Sequence, residues 1–203
     1  MSERAIMQIK LFSCVGGVVL LPTRDGALVS REDGGNLIIN PPRDVWERGE
    51  LNAIELRGWS YLVAATASAM LSCLPQLEGG CINYWEAGNW ALNEAARPVG
   101  VKRAPDHRSV HLHLLGRNMN AKSPNWQWGE SPIFPRYAEK AGMAQTEDRL
   151  TPAETHNIVS ALRQALIAKY EFAEDDMSPT AACPACSYPV AGERAEACPE
   201  CAN

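Results

Sequence analysis

The stretch Ser109-Val-His-Leu-His-Leu-Leu-Gly-Arg117 decides how the chain is expected to fold. In a β-strand, side chains two positions apart face the same side, about 6.5 Å from one another. Ser109, His111 and His113 would therefore line one face of a sheet. The opposite face would belong to the hydrophobic core and would be filled by the intervening residues, Val110, Leu112 and Leu114.

Two imidazoles on one strand face allow three interpretations. They can be metal ligands, a nucleophile with its partner, or ordinary polar residues on the open face of a sheet. A neutral imidazole, with an ordinary pKa near 6.5, can attack phosphorus without a metal and thereby divide one difficult hydrolysis into two easier displacements. The spacing of the two histidines alone does not choose among the three.

Short apolar runs around this stretch predict six strands. They are Ile9–Cys14, Val18–Leu21, Ala27–Ser30, Asn36–Asn40, Cys81–Trp85 and Val110–Leu115. Arg24-Asp25-Gly26 is a turn signal between the second and the third of them. Strands that precede and follow one long helix indicate an α+β domain with an antiparallel sheet.

Two segments have the apolar periodicity of helices. From about Leu51 to Leu74, large apolar residues alternate with small ones that permit close packing against a sheet. A second helix is predicted to begin at Thr151, because an N-cap Thr, then Pro152, and Glu154 three residues after the cap form a capping box. Its apolar face is predicted to contain Ile158, Leu162, Ala165 and Leu166. His156 is expected at the surface.

The seven cysteines fall into two groups. Cys14, Cys73 and Cys81 stand singly among apolar neighbours and are predicted to be small core residues. The others form two Cys-x-x-Cys pairs with eleven residues between them, Cys183, Cys186, Cys198 and Cys201. Each pair places two thiolates on one tight turn, so the pattern predicts a structural zinc ribbon. A redox dithiol, two disulfides and a disordered tail are the alternatives.

Composition divides the chain into three parts. Residues 1–170 are numerous enough to bury one sizeable core and are predicted to form the main domain. Residues 171–182 are acidic, contain Pro and lack periodicity, which is typical of a linker. Residues 183–203 form the predicted ribbon, which is too short to fold unless a metal supplies the free energy.

Charge and hydropathy exclude other classes of protein. A net charge of −5 argues against a protein that mainly coats nucleic acid, since phosphate neutralisation needs clustered Lys and Arg. No apolar run reaches the roughly 18 residues that a membrane span requires, and the segment 1–10 lacks the pattern of a signal peptide. We therefore expect a cytoplasmic protein with neither a membrane nor a nucleic-acid partner.

From Ala27 to Arg117 the chain resembles the histidine-triad (HIT) superfamily. Members carry a strand, a Pro-Gly-His-like turn, a strand ending in Pro, a long helix, a strand ending in Asn or Gln, and a His-x-His-x-His strand closed by Pro-Arg or Gly-Gly-Arg. The corresponding segments here are Ala27–Ser30, Gly34–Arg43, the long helix, Cys81–Asn83 and Ser109–Arg117, in the same order. The resemblance implies a HIT-like antiparallel sheet and a nucleotide hydrolase or nucleotidyl transferase that needs no cofactor for catalysis.

The resemblance also implies catalytic roles. In the family, the middle histidine attacks the α-phosphorus and becomes a nucleotidyl-histidine, a role that falls on His111 when the strand is aligned through Gly116-Arg117. His113 then takes the third position, next to phosphate oxygens or the leaving group. A register shifted by two residues would make His113 the nucleophile instead. The chain departs from the family in three respects, because Ser109 replaces the first histidine, Asn36 replaces the histidine of the turn, and an insertion within 90–108 precedes the motif strand.

Three residues are predicted to bind substrate. Asn83 and Ser109 are candidate hydrogen-bond donors to phosphoryl oxygens, and Ser30 stands where relatives contact the ribose. A turn-capping role is the alternative for Asn83, and a turn role is the alternative for Ser30. Arg117 is predicted to be a surface or inter-subunit ion-pair residue.

The segment Ser123–Pro135 is dense in aromatic residues and prolines and has no period of a helix or strand. We predict an ordered loop over the motif strand. It would either seal the sheet as a hydrophobic cover or stack a base on Trp126 or Trp128.

Two function classes follow from these observations. The first is an enzyme that cleaves or transfers a nucleoside monophosphate group from a dinucleoside polyphosphate, a phosphoramidate, a nucleotide sugar or an adenylylated product. The second is a non-catalytic nucleotide-binding or adaptor protein whose ribbon contacts a protein. Family members often form homodimers, so a homodimer is a further expectation. The ribbon contains Arg194 beside three glutamates and is therefore a poor ligand for DNA.

Overall fold

The computed structural model of the chain describes residues 8–22, 27–134, 136–137, 149–192, 198 and 201. Its strands are β1 (Ile9–Cys14), β2 (Gly17–Leu21), β3 (Asn36–Asn40), β4 (Cys81–Ala87), β5 (His111–Arg117), β6 (Thr180–Ala182) and β7 (Pro189–Ala191). Its helices are α1 (Ala53–Cys73), the single turn α2 (Ala104–His107) and α3 (Pro152–Tyr170). Short 3₁₀ turns include Asn89–Leu92, Pro124–Trp126 and Glu174–Asp176.

The first five strands form one antiparallel sheet in the order β1-β2-β3-β5-β4. The histidine strand β5 is an interior strand, since it pairs with β3 on one side and with β4 on the other. His113 lies opposite Ile38 in β3 and opposite Trp85 in β4. The prediction of an α+β domain with an antiparallel sheet and a long helix is confirmed.

Helices α1 and α3 supply the other half of the main core. Both begin with a capping box, formed by Asn52 with Glu55 in α1 and by the predicted Thr151 with Glu154 in α3. The core residues include Leu62 and Met70 of α1 and Ile158, Leu162 and Leu166 of α3, all with no exposed surface. Val110, Leu112 and Leu114 belong to the same core, as predicted from their alternation with the histidines.

A second, smaller apolar cluster includes Leu28, Val29, Leu115 and Trp126, with Trp85, Trp90 and Phe134 packed against it. Leu115 lies two positions beyond His113 on β5, and alternate residues of a strand share a face. The cluster therefore lies on the histidine face of the sheet. Both faces of the sheet are covered, by helices on one side and by loops on the other.

The predicted strand Ala27–Ser30 is wrong. These residues form a bend rather than a strand, and the backbone N–H groups of Asp33 and Gly35 donate to the Ser30 carbonyl. The apolar pattern that suggested a strand comes from Leu28 and Val29, which are buried in the loop-covered cluster and not in a ladder. The predicted turn at 24–26 lies outside the described residues.

One close backbone contact explains why glycine precedes Arg117 in the motif. A Cβ atom at Gly116 would lie 2.2 Å from the Gly34 carbonyl oxygen, and a Cβ atom at Gly34 would lie 2.5 Å from the Gly116 carbonyl carbon. Gly34 also has a φ of 128°, which side chains disfavour. The turn before β3 can cross β5 only because both positions lack a side chain.

The residues after α3 form hydrogen bonds with the end of β1, an edge strand of the sheet. Ser178 N–H donates to the Ser13 carbonyl, and Val15 N–H donates to the Asp176 carbonyl, each at 2.9 Å. The segment that the sequence predicts as a linker, 171–182, thus contains a 3₁₀ turn and strand β6 and is hydrogen-bonded to the chain at the end of β1. Within the described ranges, no helix is both long and apolar enough to cross a bilayer.

Candidate active site and metal centre

His111 is half-buried at the start of β5, and its Nδ1 lies 3.0 Å from the carbonyl oxygen of Ser109. A carbonyl only accepts hydrogen bonds, so Nδ1 carries the proton of the neutral ring and Nε2 keeps a free lone pair. Burial lowers the pKa of His111 and so does Arg108, although the bond to Ser109 and the charge of Glu86 oppose this shift. His111 therefore presents an unprotonated Nε2 at neutral pH.

His113 is 7% exposed, and its ring centroid lies 5.1 Å from that of His111. Burial, with a smaller contribution from the charge of His111, lowers the pKa of His113 to about 3. Its Nδ1 lies 3.5 Å from Nδ2 of the buried Asn36. The structure thus brings the two predicted catalytic residues side by side, both neutral at pH 7.

Aromatic rings cover His113. The Trp85 ring lies 5.3 Å from the imidazole of His113, and Phe134 stacks on Trp85 at 4.2 Å. Trp90 meets the edge of Trp85 at 6.2 Å, and Trp126 meets Phe134 at a right angle. His113 consequently lies in a largely apolar environment, which is the physical cause of its low pKa.

Phe134 and Trp126 belong to the segment 123–134, which is the described part of the predicted ordered loop and which we call the aromatic strap. Trp126 is 4% exposed and packs in the loop-covered cluster, so it is a structural residue of the strap. Trp128 is 42% exposed. Of the two tryptophans considered for base stacking, only Trp128 presents a substantial exposed surface.

Arg117 anchors the aromatic strap, and the prediction that it lies at the surface is wrong. It is 4% exposed, donates to the carbonyls of Gln127 at 2.6 Å and Glu130 at 2.9 Å, and lies 5.5 Å from the Trp126 ring centroid. The strap folds back over the end of β5 and buries the guanidinium. The density of aromatic residues and prolines just downstream was the sequence signal for this burial.

The predicted substrate-binding residues have different surroundings. Asn83 lines a hollow of about 300 Å³ beside the aromatic rings, together with Trp85, Leu115 and Phe134. Ser109 precedes β5; its carbonyl holds His111, and its hydroxyl donates to Asp44 at 3.4 Å. Ser30 shapes its own turn, because its Oγ accepts from the Asp33 N–H at 3.2 Å. Ser30 therefore has a turn role, and its predicted contact with a ribose stays a prediction.

Sequence reasoning missed Arg108, although it directly precedes the motif. Its side chain is 12% exposed and pairs with Glu47 at 2.7 Å and with Glu86 at 3.7 Å. Arg48 also pairs with Glu86. This cluster places charge beside His111, and Arg108 and Glu86 shift the His111 pKa in opposite directions.

The four C-terminal cysteines form the other candidate site. The sulfur atoms of Cys183, Cys186, Cys198 and Cys201 all lie within 4.8 Å of one another, and the Cys186–Cys198 pair is 3.4 Å apart. Thiolates around a tetrahedral ion bound at about 2.3 Å would be about 3.8 Å apart. The arrangement can therefore hold a metal ion, as the spacing predicts.

Backbone donors prepare one thiol of this cluster for ionisation. Burial raises the pKa of Cys183, but the N–H groups of Cys198, Ala185 and Cys186 more than offset it and lower the pKa to about 6. The Cys198 N–H lies 3.2 Å from the Cys183 sulfur. For Cys186, burial and the neighbouring thiols raise the pKa. A cation is the natural stabiliser of four such sulfurs in the thiolate form.

Of the three single cysteines, Cys81 departs from the prediction of small core residues. Cys14 and Cys73 are partly buried at the edge of the core, whereas Cys81 is exposed at the start of β4. Cys81 belongs to the edge strand and lies opposite Arg117 in the register. An apolar neighbourhood in the sequence therefore did not imply burial at the end of an edge strand.

Comparison with known proteins gave no match: no family model, curated protein or solved structure is similar to this chain.

Proposed function

We propose that this protein is a nucleotide hydrolase or nucleotidyl transferase that acts at an α-phosphate through a covalent nucleotidyl-histidine, in the manner of the HIT superfamily. The hydrogen bond from His111 Nδ1 to the Ser109 carbonyl carries the proposal. It directs a free Nε2 lone pair away from the backbone on a face where a second neutral imidazole stands beside it. Attack through Nε2 needs this tautomer, because in the other neutral tautomer Nε2 carries the proton.

The reaction has two displacements. Nε2 of His111 forms a bond to the α-phosphorus, the bond from phosphorus to the leaving group breaks, and the leaving group departs with the electron pair, taking a proton from water where it needs one. The ring then carries a positive charge, which the Ser109 carbonyl stabilises through the Nδ1 proton. Water or an acceptor hydroxyl next attacks phosphorus, releases His111 and passes its proton to solvent.

His113 and Asn83 would assist as hydrogen-bond donors. His113 lies next to His111, and its ring packs against Trp85, the residue opposite it on β4. Asn83 lines the hollow beside Trp85. Donors fixed before the reaction stabilise the charge that develops on phosphoryl oxygens, at an estimated 10²- to 10³-fold in rate for each donor.

The test is the covalent adduct. The full chain is incubated briefly with a dinucleoside polyphosphate, a nucleoside phosphoramidate and a nucleotide sugar, then quenched and measured by intact and peptide mass spectrometry. We expect a nucleoside monophosphate group on His111, its absence in His111→Ala, and a rate loss of several orders of magnitude in that variant. His113→Ala should lose only about 10²- to 10³-fold.

The matched control is His107→Ala, which removes a half-buried histidine of α2 outside the sheet. It should form the adduct at the normal rate. An adduct on His113 would support the shifted register and contradict our assignment. Full turnover by His111→Ala would show that His111 is not the nucleophile.

A second candidate is a nucleotide-binding or adaptor protein without turnover. The burial of His113 favours it, because Trp85 packs against the imidazole and only 7% of the residue is exposed. Under this alternative, calorimetric titration detects nucleotide binding, the affinity changes only modestly in both histidine variants, and no adduct forms with any of the nucleotides.

We further propose that the ion of the four-cysteine cluster is zinc and that its role is structural. Four thiolates fill a tetrahedral shell and leave no position for a water or substrate. Cys183 and Cys198 are buried in the main core, which suits an ion that stabilises a fold. Metal analysis of the purified chain should give about one zinc per chain, whereas a value far below one would contradict the proposal.

A further inference from the structure

Asn36 is a buried polar residue on the strand next to the histidines. It is 3% exposed, and it follows the turn 30–35 at the first position of β3. A buried amide must satisfy both its oxygen and its nitrogen, because an unpaired polar group in an apolar environment destabilises the fold. The partners of Asn36 therefore determine which way its amide faces.

The orientation of the amide follows from its donors and acceptors. The Leu28 N–H donates to Oδ1 at 3.1 Å, so this atom must be the oxygen. Nδ2 then faces acceptors, and it donates to the Leu37 carbonyl at 2.9 Å and faces the Leu114 carbonyl at 3.4 Å. The third atom that Nδ2 faces is Nδ1 of His113, at 3.5 Å.

An amide NH₂ group facing a ring nitrogen favours the lone pair on that nitrogen over a proton. His113 is buried and neutral, so a lone pair on Nδ1 leaves the single proton on Nε2. His111 has the opposite arrangement, because its Nδ1 faces the Ser109 carbonyl and must carry the proton. The two partners therefore favour opposite tautomers in His111 and His113.

We propose that Asn36 is a positioning residue that holds His113 as the Nε2–H tautomer, so that His111 offers a lone pair and His113 offers a hydrogen-bond donor to the same phosphoryl group. This inference rests on the proposed function for its catalytic meaning. Without Asn36, His113 could present a second lone pair, which repels phosphoryl oxygens. The substitution of Asn for the histidine of the family's turn is therefore compatible with catalysis.

The test begins with the unmodified chain. Long-range ¹H–¹⁵N correlation spectra of the ¹⁵N-histidine-labelled protein distinguish the two neutral tautomers. At pH 7 we expect His111 to be protonated on Nδ1 and His113 on Nε2. A His113 protonated on Nδ1 in this spectrum would overturn the proposal, whatever the behaviour of any variant.

Asn36→Asp supplies the second arm, since a carboxylate accepts where the amide donates. His113 should then carry its proton on Nδ1, as the other neutral tautomer, and lose the Nε2 donor, so kcat should fall about 10²- to 10³-fold with little change in KM. Asn40→Asp is the matched control, because Asn40 ends the same strand and lies opposite Val18 of β2. It should leave both tautomers unchanged.

The two proposals can fail separately. If the tautomers are as expected and respond to Asn36→Asp but no nucleotide adduct forms, the proposed function is wrong and the effect of Asn36 on His113 stands. If the adduct forms on His111 while the His113 tautomer is unaffected by Asn36→Asp, the proposed function stands and the positioning role is wrong.

Discussion

The histidine face of the sheet and the four-cysteine cluster are stabilised in opposite ways. His111 and His113 are held by the ladder of an interior strand and by aromatic rings, so that site is complete without any ligand. The cysteine cluster brings sulfur atoms within 4.8 Å of one another, an arrangement that favours a bound cation. The histidines are positioned by the strand that carries them, whereas the cysteine cluster would contribute to the fold by binding an ion.

The largest expected effect comes from removing a cysteine ligand. Cys198→Ser should abolish metal binding and lower the free energy of unfolding by several kcal/mol, because Cys183, Tyr188 and Cys198 lie in the same apolar core as the helices. Calorimetry and metal analysis of the variant measure both effects. Cys81→Ser, at an exposed cysteine, is the control and should change neither.

A Cys198→Ser variant that lost its metal but kept its thermal transition would contradict this contrast between the two sites. The cluster would then be an independent appendage, as the division into 1–170, 171–182 and 183–203 implies. Chelation of the unmodified protein gives the same information without a substitution.

A smaller effect is expected from the anchor of the aromatic strap. Both bonds to the strap carbonyls come from Nη2 of Arg117, and the side chain of Arg117→Lys is one bond too short to place its Nζ there, so the free energy of unfolding should fall by about 1.5–3 kcal/mol. The substitution should also speed proteolysis between 123 and 134, while the metal content stays unchanged. Arg57→Lys, on an exposed face of α1, should behave like the unmodified chain in urea titrations.

The smallest effect is a pH dependence of stability on the histidine face. His113 has a pKa near 3 when folded and an ordinary pKa near 6.5 when unfolded, so below about pH 6.5 the unfolded chain binds a proton that the folded chain does not. Stability is therefore lost as the pH falls from 6.5 towards 3. Urea titrations at pH 7 and pH 5 should show a loss about 1–2 kcal/mol larger than in His113→Asn. Equal losses would show that His113 is not buried in solution.

The sequence predicted those features that depend on local periodicity. Alternation identified Val110, Leu112 and Leu114 as core residues, and the capping box at Thr151 located the start of α3. Cysteine spacing identified the four-cysteine cluster, which could hold a metal ion. These signals are contained within a few neighbouring residues.

The structural features that could not be predicted from the sequence depend on contacts between distant segments. Arg117 is buried by a strap that folds back on it, and Leu28 and Val29 are covered by that strap instead of forming a strand. The hydrogen bonds of residues 176 and 178 to the end of β1 arise only in three dimensions, since nothing in an acidic, Pro-containing segment specifies a partner. The orientation of Asn36 belongs to the same category, because it is set by Leu28 from across the turn.

The attachment of the cysteine cluster to the core has a consequence for the order of events during synthesis. The Tyr188 hydroxyl donates to the Leu150 carbonyl at 2.8 Å, and Leu150, just before α3, is fully buried. The sheet strands and both long helices leave the ribosome before Cys198 does, at about 5–20 residues per second. Cys198 therefore joins the core last, and if an ion fixes it there, the supply of metal would limit how long that part of the core stays exposed.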